Sequence, residues 1–89
     1  MSDEHVTRVE IRHKGRRYAA EALPNGSTSL TRDGVWLCNG DWNGRALYTG
    51  DNEVHPDLDD SNAILEALSA ALTAAGAPLI QRKTPDAYR

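Results

Sequence analysis

Residues 6–23 read VTRVEIRHKGRRYAAEAL. Val9 and Ile11 fall on one side of an extended chain and Arg8, Glu10 and Arg12 on the other, the two-residue period of a half-buried strand. His13-Lys14-Gly15 breaks the pattern with a residue that accepts a positive φ, the mark of a tight turn. Alternation then resumes, with Tyr18, Ala20 and Ala22 opposite Arg17, Ala19 and Glu21. Two alternating runs across so short a turn pair only as an antiparallel hairpin.

The same reading extends down the chain. Pro24-Asn25-Gly26 is a turn, since Pro sets φ and Asn-Gly favours a type I′ or type II geometry. Ser27 to Thr31 is a short third strand, and Asp33-Gly34 turns the chain again. Val35 to Asn39 is the fourth strand and the most apolar. Asn39 to Gly44 reads as a loop with Trp42 near its tip, and Arg45 to Thr49 as a fifth strand. After a connector that includes Pro56, the period changes. Ile64, Leu65, Leu68, Ala71, Leu72 and Ala75 form the stripe of an amphipathic helix. Asp59, Asp60 or Ser61 suits its N-terminus, and Gly76 with Pro78 ends it. Leu79-Ile80 either adds an edge strand or covers the open end of the core.

The expected fold class is α+β: an antiparallel β-meander of four or five strands with one C-terminal amphipathic helix packed on one face. Residues 1–80 make a single domain, and the polar residues 81–89 read as a flexible tail. With 89 residues there is no room for a second core. A chain of this size buries only roughly 60–65% of its unfolded surface, so association with a partner would help it. No apolar run approaches the length of a membrane span, and no membrane role is expected. Residues 1–6 are polar and acidic, unlike a secretory leader. Cys38 is the single cysteine, so an intramolecular disulfide is excluded. A reducing cytoplasm is the expected location.

Charge is segregated. Arg8, Arg12, Lys14, Arg16 and Arg17 stand against Glu10 in the first hairpin, whereas Asp51, Glu53, Asp57, Asp59, Asp60 and Glu66 have no basic neighbour in the later stretch. Catalysis finds little support. Cys38, His5, His13 and His55 are the candidate nucleophile and bases, and the chain gives no reason for them to meet. Helix capping accounts for Asp57, Asp59 and Asp60 without a metal. The Asn39–Gly44 stretch opens like a calcium loop but carries Gly50 at the twelfth place, where a bidentate Glu is needed. No cofactor or metal is called for.

A single helix leaves the second face of the sheet uncovered, and that face carries the functional expectation. The primary reading is a small intracellular protein-interaction domain or accessory subunit that self-associates as a homodimer. Trp36, Trp42, Tyr18 and Tyr48 are its expected anchors, because Trp and Tyr dominate interface energetics. Trp36 and Cys38 would share one face of the fourth strand, opposite Val35 and Leu37. The alternative is nucleic-acid binding through Arg8, Arg12, Lys14, Arg16 and Arg17 with sheet aromatics as stacking platforms. A net charge of -3 weighs against it.

Overall fold

The structure, a computed structural model, describes residues 6–79. Five strands in chain order, β1 (Thr7–His13), β2 (Arg16–Ala22), β3 (Ser27–Arg32), β4 (Val35–Trp42) and β5 (Leu47–Tyr48), precede one helix, α1 (Leu58–Ala74). All neighbours are antiparallel and the spatial order equals the chain order, so the sheet is a meander. The expected tail, residues 81–89, and Ile80 lie outside the described residues.

Turn chemistry sets the register. Lys14 and Gly15 take φ of 50° and 82°, and Asp33 and Gly34 take 52° and 88°. Each pair forms a two-residue loop with positive φ at both places, the geometry whose twist matches a hairpin. His13 therefore faces Arg16, and Arg32 faces Val35. Asp33 braces both hairpins: its carboxylate accepts the Arg17 backbone N–H at 3.0 Å and Arg16 Nη1 at 2.9 Å. The turn between β2 and β3 differs from the type I′ or type II geometry expected at Asn-Gly. Gly26 N–H bonds Leu23 O at 2.9 Å and Leu23 N–H bonds Ser27 O at 2.8 Å, while Gly26 rather than Asn25 has positive φ. That is a type I turn followed by a glycine bulge.

One irregularity decides what the outer face carries. Leu30 pairs with Cys38, but Thr31 pairs with Trp36, so Leu37 is an extra residue on β4. Such a bulge flips the side-chain alternation beyond it. Cys38 consequently points inward and Trp36 outward; the expectation that the two share a face does not hold.

The inner face brings Ala20, Ala22, Leu30, Cys38, Trp42 and Leu47 against Ile64, Leu68 and Leu72 of α1, with Val54 of the connector between them. Each of the three helix residues is fully buried, worth about 2 kcal/mol of hydrophobic transfer apiece. The sheet curls so that α1 touches both outer strands, β1 and β5, as well as β2. The helix also satisfies an edge amide: Ser69 Oγ accepts the Leu47 N–H at 2.8 Å while donating to Leu65 O at 2.7 Å. Covering edges with a helix is one way a sheet avoids unwanted pairing.

Capping fixes the helix ends. Asp57, two residues ahead of Asp59, accepts the Asp59 and Asp60 N–H groups at 2.9 and 3.3 Å. At the other end Gly76 N–H bonds Thr73 O and Ala77 N–H bonds Leu72 O, a Schellman closure. Leu79 follows as irregular chain, its side chain beside Gly26 and Gly44 at one end of the core.

Candidate interaction surface

The outer face is a grid set by register. One row across the strands runs Arg8, Glu21, Ser29 and Asn39, and the next runs Glu10, Ala19, Thr31 and Trp36. Beyond the first row lie Ser27, Asp41 and Tyr48. The β1–β2 side thus interleaves Arg8 with Glu10 and Glu21, and Asp41 stands at the opposite corner.

Trp36 is 59% exposed and Val35 68%, consecutive residues on opposite faces of β4 where it leaves its turn, so both meet at the strand's free edge. The indole Nε1 donates to Asn39 Oδ1 at 3.3 Å, which lays the ring along β4. A shallow depression of about 460 Å³ runs there, lined by Trp36, Leu37, Cys38, Asn39 and Glu53. β5 pairs with only Asp41 and Trp42, so Val35 to Leu37 have no strand on their outer side among the described residues. This segment carries no charge and no proline, the usual protection of an edge.

Of the four aromatics expected at an interface, Trp36 and Tyr48 lie on the surface. Tyr18 and Trp42 sit at 2% exposure and serve the core instead. Trp42 occupies the last place of β4 rather than a loop tip, because the strand runs on to the Asn43–Ala46 turn. Its Nε1 is buried without a hydrogen-bond partner among the described residues, an uncompensated cost inside the core. Tyr18 stacks edge-on to His13, with ring centres 6.4 Å apart.

The basic residues are largely engaged. Arg8 meets Glu21 at 3.4 Å and Glu10 at 3.8 Å, Arg17 meets Glu10 at 3.9 Å, and Arg16 meets Asp33 at 2.9 Å. Lys14 reaches Asp60 at 3.0 Å. Within this set Arg12 alone has no ionic partner among the described residues. Exposed pairs of this kind add little stability, but they engage four of the five basic side chains the hairpin offers.

Asp60 is the centre of a second cluster, where the hairpin tip meets the helix N-terminus. His13 Nε2 donates to its Oδ1 at 2.9 Å, Lys14 holds the same carboxylate, and His55 Nδ1 lies 3.9 Å away. The His13 hydrogen bond, then that of Lys14, holds the Asp60 carboxyl below its ordinary range. Asp60 in turn raises Lys14. His55 Nδ1 accepts the Asp57 N–H at 3.0 Å, so it braces the cap.

Cys38 belongs elsewhere. Burial, then the charge of Glu53, pushes its thiol up, which makes it a poor nucleophile. The thiol thus neighbours Glu53 while His13 and His55 flank Asp60, and His5 lies outside the described residues. Asp33 is lowered by the Arg17 N–H and then by Arg16, a structural role in the turns.

The chain matches no protein-family model, no curated protein and no solved structure. The opposite placement of Trp36 and Cys38 would have been legible only with the Leu37 bulge in hand, and nothing in Val35–Asn39 marks that position.

Proposed function

We propose that this chain is a small protein-interaction domain that self-associates, with Trp36 and Val35 as the centre of the contact. One observation carries the reading: a large indole and a β-branched residue stand exposed on an uncharged stretch of strand whose outer edge has no partner strand among the described residues. A small domain gains most by covering such a patch, and Trp is the side chain most often found at the energetic centre of an interface. Tyr48, 55% exposed on β5, extends the surface on the same outer face. A second copy is a suitable partner because the patch is neutral and copies therefore do not repel there.

A ¹⁵N-amide dilution series of the full chain tests the proposal. Self-association through this patch shifts the amides of Val35 to Asn39 as concentration rises. Shifts confined to α1, or none, contradict it. Adding a single-stranded oligonucleotide to the same sample examines the other reading. Binding at the hairpin would move Arg8 to Arg17 and collapse with salt. The pairing of Arg8, Arg16 and Arg17 with carboxylates supports no such shift at physiological salt.

A further inference from the structure

Asparagine precedes glycine three times in this chain, at Asn25, Asn39 and Asn43. An Asn-Gly pair rearranges without an enzyme. The glycine nitrogen adds to the side-chain amide carbon, a cyclic succinimide closes, and ammonia leaves. Water then opens the ring at either carbonyl, giving aspartate or its β-linked isomer. Glycine suits the step because no Cβ hinders its nitrogen. The chemistry asks the fold for a glycine N–H that no hydrogen bond holds, for room to close the ring, and for an amide carbonyl polarised toward attack.

The fold separates the three pairs. Gly26 N–H donates to Leu23 O at 2.9 Å, and the residue is buried, with Trp42 O 2.9 Å from where a Cβ would stand. Asn39-Gly40 lies inside β4. Trp42 N–H bonds Gly26 O, so alternation along the ladder makes Thr28 and Gly40 a hydrogen-bonded pair too. Tyr48 O crowds Gly40, 2.7 Å from a Cβ position, and Asn39 Oδ1 is tied to the Trp36 indole.

Asn43-Gly44 differs on every count. Both residues are exposed in the β4–β5 turn. Gly44 N–H has no hydrogen-bond partner among the described residues. The Leu79 side chain is the near neighbour of Gly44 there, 3.5 Å from a Cβ position. Asn43 Oδ1 accepts the Arg45 N–H at 2.8 Å and the Ala46 N–H at 2.7 Å. That oxygen gathers negative charge as the Gly44 nitrogen adds to the amide carbon, and fixed donors aimed at such an oxygen stabilise the charge.

We propose that Asn43 is a self-modification site, converting through a succinimide with Gly44 to aspartate and its β-linked isomer, while the fold keeps Asn25 and Asn39 intact. The β-linked product adds a carbon to the main chain of the turn that Asn43 N–H closes on Ala46 O. It therefore loosens β5, which pairs with β4 only through Leu47 and Tyr48. The reaction needs no partner, so it stands or falls apart from the Trp36 contact.

The test ages the full-length chain in mildly alkaline buffer, folded and in urea, and follows each asparagine by peptide mapping and mass spectrometry. Folded, Asn43 should convert within about three-fold of its rate in urea, and Asn25 and Asn39 at least about five-fold slower than theirs, the factor for opening one hydrogen bond. The β-linked isomer should accumulate at position 43, with faster amide exchange at Leu47 and Tyr48. Asn43→Asp, which adds the charge without the extra carbon, should leave that exchange unchanged. Asn25 or Asn39 converting first in the folded chain, Asn43 slowed as much as they are, or a product without the β-linked isomer would each overturn the assignment.

Discussion

Replacing the two tryptophans one at a time separates surface from core. Trp36 is 59% exposed; of the roughly 250 Å² of an indole, about 150 Å² remains to be withdrawn from water. At 25 cal/mol per Å² that is about 3–4 kcal/mol, and ordering the side chain offsets about 1 kcal/mol. Trp36→Ala should therefore weaken association by about 2–3 kcal/mol, roughly 30- to 150-fold in dissociation constant. A two-fold assembly loses an indole from each copy, so this is a floor. Monomer stability should fall by much less, since the ring has one protein hydrogen bond, to Asn39. Trp42→Ala reverses the pattern: the ring is 2% exposed, and its loss costs about 3–5 kcal/mol, enough to unfold a domain of this size. Urea unfolding followed by circular dichroism at low concentration isolates monomer stability from mass action, and sedimentation velocity at high concentration reads association. A Trp36→Ala chain that sediments as the original does, or that unfolds as readily as Trp42→Ala, refutes the division of roles.

Three further outcomes follow from the geometry. The Asp60 carboxyl is held down in the folded state, so its contribution is complete above the ordinary carboxylate range and is lost as pH falls through that range toward the lower folded value; Asp60→Asn should flatten the fall in melting temperature between pH 6 and pH 3 relative to the original chain. Gly40→Ala should be costly, because a Cβ there would lie 2.7 Å from the Tyr48 backbone oxygen and β5 would have to move; loss of amide protection at Leu47 and Tyr48 by hydrogen exchange checks it. Asp57→Ala should destabilise α1 by about 1 kcal/mol through two uncapped N–H groups, read as a lower denaturation midpoint with unchanged slope.

The strands were legible because alternation and turn residues agree. Val9 and Ile11 face inward as their spacing predicts, and Lys14-Gly15 and Asp33-Gly34 are the turns their residue types imply. The helix stripe was legible too, since Ile64, Leu68 and Leu72 are four residues apart and all buried. Three things were not. The Leu37 bulge shifts the register by one residue, and no residue type in Val35–Asn39 marks where it falls. The role of Trp42 turned on whether β4 stops at Asn39 or continues, and Asn-Gly-Asp looks like a turn in either case. The cap moved to Asp57 because three aspartates stand within four residues and sequence ranks them alike. The surface suffered most from this: the grid of Glu21, Ser29, Asn39 and Asp41 exists only through cross-strand register, which no local pattern encodes.

Self-association through the exposed β4 corner is the central claim, and the solution mass of the full-length chain tests it most directly. Light scattering across a concentration range, at low and at high salt, should give a mass rising to twice the 9.7 kDa of one chain. High salt should leave the rise in place, because the contact at Val35 and Trp36 is apolar. A mass that stays at that of a single chain at every concentration and both salts would contradict the account.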